Sequence, residues 1–497
     1  MFDTPEKDHT VRDPLPPTGL LVRLWHDDPM SNELWRKGAL ELAGLIARRE
    51  VSSREVVEAH LARIDEVNPR LNAVVRRLDA EAFAAADAAD AQVAAGAPLG
   101  PLHGVPVTVK ENIDVAGTPT TQAVHLLAEA IASVDAPLVE RARRAGCIPI
   151  GRTNLPDLGL RVTTESSLHG NTHNPWHPTR TAGGSSGGEG SALASGMSPL
   201  GFGNDIGGSL RNPATCCGVT SIKPTTGVVP SATVVPPEDT GIAGQLMLAD
   251  GPMARHVADV RAGLLAIAGQ HDRDPRSVPV VLADRSAGRA MRVAVLADPP
   301  GGSTHPDVVA AVRRAADALA DSGAEVVEVD VPSFERAVEL WGVILLQEIQ
   351  GQIELLNVVM GEAGRRFLSF GTEVFPLIDV PTLMASFLDR NRIDREWHRM
   401  LTEHDVLLMP TWAQPPFELG ADIESVDAAR MVLEQLRPVL PANLLGLPAA
   451  VVPAGMADGM PVGAQLVGRR FADLTCLAAA EVVEQALGTI TPIDPVW

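Results

Sequence analysis

Residues 183–224 read GGSSGGEGSALASGMSPLGFGNDIGGSLRNPATCCGVTSIKP, and no other stretch narrows the chain's options as far. Two glycine-flanked serine clusters, Gly183-Gly184-Ser185-Ser186-Gly187-Gly188 and Gly207-Gly208-Ser209, bracket a segment of small residues. Glycine reaches backbone angles that other residues avoid, and it lets main-chain N–H groups crowd a ligand. Such N–H groups beside a serine hydroxyl can hold an oxyanion. The stretch therefore reads as a centre for acyl transfer, and the rest of the chain must supply a base and a scaffold.

The scaffold reads as α/β. Helices are expected over 33–49 and 52–68, the second opened by a capping box at Ser52-Ser53-Arg54-Glu55 and ended by Pro69. An alanine-rich helix follows at 79–95. A short buried strand over 105–110 ends on Lys110, and a helix at 136–146 leads into a strand at 147–151, a βα rhythm. Further helices are expected at 191–197, 253–268, 306–322 and 474–486, with strands at 292–296, 325–331, 406–409, 449–452 and 465–467. Helices dominate 331–403. Strands near both ends with helices between them predict one large domain over 31–490, preceded by a polar, proline-rich extension at 1–30.

Charge and cysteine usage exclude several classes. A net charge of −21 leaves no basic surplus to neutralise phosphates, so nucleic acid is not an expected partner. No run of about 18 apolar residues predicts a membrane span. The polar start lacks the layout of a signal peptide. Cys147, Cys216, Cys217 and Cys476 are too scattered for a disulfide framework and read as small packing residues in a reducing cytoplasm.

A serine needs a positioned base. His169, His173 and His177 have a four-residue spacing that suits a metal only on a helix, and Gly170, Pro175 and Pro178 break one there. No metal or other cofactor is expected. A lysine serves instead if burial disfavours its ammonium form. Lys110, after the apolar 105–109 run, has that setting; alone it would read as a strand-end surface residue, and the serine clusters reverse that.

These residues together resemble the amidase signature hydrolases, over about 34–487. The 183–224 stretch carries the likeness, with Val105-Pro106-Val107-Thr108-Val109-Lys110-Glu111-Asn112 similar to the family's base-bearing segment and Pro461-Val462-Gly463-Ala464-Gln465-Leu466-Val467-Gly468 to its C-terminal strand. The resemblance implies a large central mixed β-sheet covered by helices on both faces. It implies a Ser–Ser–Lys triad in which Ser209 forms the acyl-enzyme, Ser185 relays the proton across a cis bond from Gly184, and Lys110 is the terminal base. It also implies an oxyanion hole from the N–H groups of Ile206, Gly207, Gly208 and Ser209. Gly183, Gly184, Asp205 and Arg211 would support the site or bind substrate, the last two as a buried ion pair unless Arg211 grips a substrate carboxylate. Glu111 and Glu189 stand where the family often has aspartate and serine.

Gly183-Gly184-Ser185-Ser186-Gly187 also satisfies the elbow of the α/β hydrolases. That elbow needs a preceding strand and a later Asp then His, whereas 169–182 is polar and His404-Asp405 has the wrong order. The 201–207 glycines miss a dinucleotide fingerprint by one residue. The expected activity is hydrolysis of carboxylic amides: aryl or alkyl amides, anilides or carbamates. The glutaminase subunit of a tRNA-dependent amidotransferase, or an esterase on the same triad, is the alternative. Trp341, Phe367, Phe370, Phe375 and Trp412, each a core residue when read singly, would together line an apolar pocket under a helical cover at about 331–403. The expected partner is a small-molecule amide, with a homodimer left open.

Overall fold

The computed structural model describes residues 33–497; the expected extension at 1–30 lies outside them. Among the described residues eleven strands form one mixed sheet. They are β1 (Val74–Arg77), β2 (Pro106–Lys110), β3 (Ile148–Thr153), β4 (Leu200–Asp205), β5 (Thr220–Lys223), β6 (Ala249–Ala254), β7 (Arg292–Val295), β8 (Glu325–Glu328), β9 (Val406–Pro410), β10 (Ala449–Ala457) and β11 (Met460–Gly468). Across the sheet they run β1-β3-β2-β4-β6-β5-β10-β11-β9-β7-β8. β2 lies parallel to β3 and β4, and β7 parallel to β8 and β9. The strands between these groups pair antiparallel.

Alternation along single strands feeds two of the three apolar cores among the described residues. Val406 and Leu408 of β9 belong to one apolar cluster, Leu407 and Met409 to another. Successive strand residues point to opposite faces, so each face carries its own helical layer. Helices Pro137–Arg144, Val257–Ile267, Pro306–Asp321 and Asp473–Leu487 contribute to the first cluster. Helices Phe334–Gln350 and Val380–Glu403 contribute to the second, Phe334 stacking on Trp397 with ring centroids 6.4 Å apart. The expected α/β sheet with helices on both faces is the architecture found.

Local expectations differ in three places. The helix expected at 253–268 begins as the end of β6 and becomes helical only at Val257–Ile267, because Met253 and Ala254 are held in a ladder to Gly201 and Leu200. β1, β4, β5 and β6 were not expected. The glycines of β4 and β6 weaken a strand pattern, yet in β4 they serve close approach. A Cβ on Gly201 would overlap the Glu189 carboxylate, and one on Gly203 would sit 2.8 Å from Ser186 Oγ. Pro69 does not end its helix, which runs Ser53–Leu71 and stops where Asn72 turns left-handed at φ 50°. The capping box at its start is present. Beyond residue 490 the chain still packs: Ile493 N–H donates to Ala194 O at 2.8 Å and Trp497 Nε1 to Asn174 O at 2.9 Å.

Candidate active site

Lys110 is the last residue of β2, between β3 and β4, and is fully buried. Its Nζ lies 2.7 Å from Ser185 Oγ and 2.7 Å from Asn204 Oδ1. Burial lowers its pKa to about 7, against the opposing pull of the Asp205, Asp250 and Glu189 carboxylates. An amine in that range is substantially neutral near pH 7 and can accept a proton. Lys223, at the end of β5, is equally buried and also brought down to about 7 by burial. Among the described residues it bonds only to Pro224 O, at 2.9 Å, and lies away from the serines' cavity, so Lys110 is not alone in being a dry lysine.

Ser185 sits on the 183–187 turn before helix Gly187–Ala194, and the Gly184–Ser185 peptide bond is cis. Gly183 O accepts Thr164 Oγ1 at 3.0 Å, and Gly184 O accepts Asn212 Nδ2 at 3.2 Å. Ser209 follows β4 on the second glycine turn, just before helix Arg211–Cys217. Ser185 and Ser209 border one cavity of about 240 Å³. Lys110 and Ser185 are thus bonded, whereas Ser209 Oγ makes no hydrogen bond among the described residues.

Asp205 and Arg211 form a fully buried pair, Nε to Oδ2 at 2.9 Å and Nη2 to Oδ1 at 3.0 Å. Burial alone would raise the Asp205 pKa, but the adjacent guanidinium holds it well below the usual carboxylate range. Arg211 also donates to Val439 O, Gln465 Oε1 and Asn443 Oδ1. Every guanidinium N–H is therefore taken by protein, and none is aimed at a substrate carboxylate.

One oxyanion-hole expectation needs correcting. Gly208, at φ 93°, turns its N–H onto Asp205 Oδ1 at 2.7 Å, so that donor is occupied. The N–H groups of Ile206, Gly207 and Ser209 make no hydrogen bond among the described residues, leaving three donors rather than four. The aromatic pocket also needs correcting. Trp341 donates its indole N–H to Ile206 O at 2.7 Å and packs over Gly207, while Trp412 donates to Asn212 Oδ1 at 2.7 Å. Their polar edges are spent on bracing the serine turns. None of the five named aromatics borders the cavity, whose apolar lining is aliphatic: Leu158, Leu160, Leu345, Ile349 and Leu356 among others.

The glutamates that depart from the resembling pattern are buried. Glu111 accepts His169 Nε2 at 2.6 Å and Thr121 Oγ1 at 2.7 Å. Glu189 accepts the Thr108 hydroxyl and Thr153 Oγ1, and burial raises its pKa to about 7. His173 bonds Pro178 O and His177 bonds the Thr179 N–H, so the three evenly spaced histidines face different partners.

A family model described as Amidase matches residues 55–477. The chain belongs to the amidase family. Hydrolysis of an amide C–N bond is the chemistry that membership carries. This amidase is 40% identical to an indoleacetamide hydrolase of Bradyrhizobium diazoefficiens, over 92% of this chain and 88% of that one. It is 35% identical to a glutamyl-tRNA(Gln) amidotransferase subunit of Salinispora arenicola, over 93% and 99%. Among solved structures, a bacterial aryl acylamidase superposes with a TM-score of 0.79 at 27% identity, covering 93% of this chain and 98% of that one. 6-Aminohexanoate cyclic dimer hydrolase, complexed with substrate, also gives 0.79, at 29% identity, covering 92% and 98%. No helix of the described residues is long and apolar enough to cross a membrane.

Asn204 and Asn112 are site residues that sequence reasoning passed over. Asn204 sits in a glycine-rich strand with no strand signal. Asn112, two residues after Lys110, was visible only as the end of the base-bearing segment.

Proposed function

We propose that this amidase hydrolyses small neutral amides with an apolar acyl part, arylacetamides of the indoleacetamide kind foremost, in the cytoplasm and without a cofactor. The observation carrying this reading is the 2.7 Å contact between a dry Lys110 Nζ and Ser185 Oγ, at the wall of the cavity that Ser209 also borders. The neutral lysine draws the Ser185 proton, Ser185 takes the proton of Ser209, and Ser209 Oγ attacks the carbonyl carbon. The N–H groups of Ile206, Gly207 and Ser209 receive the oxyanion, each such donor being worth about 3 kcal/mol in the transition state. The relay then returns the proton to the leaving amine, the C–N bond breaks, and water releases the acid from Ser209. The Ser185–Ser209 hydrogen bond is the contact expected to close with substrate, since catalytic hydrogen bonds are often loose without it.

Size and polarity support the substrate class. The cavity's roughly 240 Å³ lies below the roughly 300–1,000 Å³ of pockets that take drug-sized ligands. Among the described residues Glu348 is its one charged lining residue, and that carboxylate already accepts the Ala243 N–H at 2.8 Å. A cavity without a lining cation favours a neutral amide over glutamine, whose carboxylate would need one.

The test is ammonia release by the isolated chain from indole-3-acetamide, phenylacetamide and glutamine, with Ser209→Ala as control and gel filtration alongside. Turnover of the arylacetamides, lost in Ser209→Ala, is expected. Turnover of glutamine alone, or a phosphonylating inhibitor whose mass label sits on Ser185, would overturn the reading.

A further inference from the structure

The bond that Lys110 makes on its other side has no assigned role. Asn204 Oδ1 lies 2.7 Å from Lys110 Nζ, as close as Ser185 Oγ. Asn204 in turn donates its amide Nδ2 to Asn112 Oδ1 at 3.1 Å, and Asn112 Nδ2 faces Asn204 Oδ1 at 3.4 Å. Both asparagines border the cavity that holds Ser185 and Ser209. Asn204 is on β4 and Asn112 follows β2, so the pair spans two parallel neighbouring strands.

We propose that Asn204, held by Asn112, is the positioning residue that turns the lone pair of Lys110 toward Ser185. This rests on the triad reading above. A neutral amine has two N–H groups and one lone pair. With one N–H committed to Asn204 Oδ1, the amine can turn its lone pair to the Ser185 hydroxyl, which donates to it when the relay runs. An amide turned the other way would present N–H groups to the amine and compete for that lone pair. Asn112 opposes the flip, because its Oδ1 takes the Asn204 N–H and would face the Asn204 oxygen if that amide alone turned.

Asn204 also bears on when Lys110 is charged. Its carbonyl dipole favours the ammonium over the amine. The Asp205, Asp250 and Glu189 carboxylates act on Lys110 in the same direction and are untouched by a change at position 204. Asn204→Ala then moves the acid limb of kcat/KM to lower pH while lowering the plateau. Asn204→Asp sets a carboxylate against the lysine and moves the limb to higher pH. A residue out of reach of the amine would shift the limb in neither variant, and one that only held the fold would leave kcat per folded enzyme unchanged in Asn204→Ala.

The experiment measures kcat, KM and the pH profile of kcat/KM for Asn204→Ala and Asn204→Asp, with thermal melts as the folding check. Asn204→Ala is expected to lose about 10-fold or more in kcat with KM little changed, the scale of impaired general base catalysis. Limbs that coincide with wild type in both folded variants would overturn the proposal. Should either variant fail to fold, Asn112→Leu frees the Asn204 amide without touching the lysine, and an unchanged kcat there would equally overturn it. Ser209→Ala separates the two levels: activity surviving in it defeats the triad reading, whereas an inactive Ser209→Ala beside a wild-type-like Asn204→Ala defeats this inference alone.

Discussion

Trp412 donates its indole N–H to Asn212 Oδ1 at 2.7 Å in a fully buried contact. Asn212 passes the constraint on, donating Nδ2 to Gly184 O at 3.2 Å and Gly207 O at 3.1 Å. One side chain thus ties the turn bearing Ser185 to the turn bearing Ser209. Asn212→Ala removes both ties and strands a buried indole N–H, at a cost of about 1–3 kcal/mol. It is expected to lower kcat more than its loss of stability accounts for. Urea unfolding and steady-state kinetics on the same preparation check this; full activity in a destabilised variant would count against it.

Lys110 is expected to govern both rate and stability against pH. The base works when neutral, so kcat/KM rises with pH through about 7 and levels above it. Its folded value, about 7, lies below the ordinary 10.5, so between these values the unfolded chain binds the extra proton. The buried amine therefore costs most stability below about 7, and the cost fades as pH rises toward 10.5. Lys110→Met should lose most activity yet melt at a higher temperature at pH 7, with the advantage shrinking at alkaline pH. A rate independent of pH from about 5 to 9 would contradict a neutral-lysine base.

Arg211 is expected to act on stability rather than on substrate binding. Arg211→Met leaves Asp205 buried without its counter-charge, a change that typically costs about 3–5 kcal/mol. The KM of neutral amides should stay within about twofold in whatever fraction remains folded, because no guanidinium N–H reaches the cavity. A selective rise in KM for carboxylate-bearing amides would instead give Arg211 the gripping role.

The aliphatic wall should set substrate size. Leu356 stands on helix Ile353–Val359 and borders the cavity. Leu356→Phe is expected to lower kcat/KM for phenylacetamide about 10-fold while changing acetamide less, in keeping with the modest discrimination of apolar pockets. Paired kinetics on the two substrates decide it, and an equal effect on both would place Leu356 outside the acyl site.

The sequence by itself determined the α/β class, the family, and the residue types of the site. Local pattern carried those: Lys110 closes an apolar run, and Ser185 and Ser209 lie among glycines that tolerate little else. Tertiary structure alone decided which groups touch. Asn204 bonds Lys110 across 94 positions of chain, and Trp412 reaches Asn212 across 200. Such contacts depend on which strands become neighbours, and β4 was hidden because Gly201 and Gly203 give up side chains to let Glu189 and Ser186 approach. The occupied Gly208 N–H was beyond reach for the same reason. A donor's freedom depends on where Asp205 folds, and a one-dimensional pattern of residue types holds no record of that.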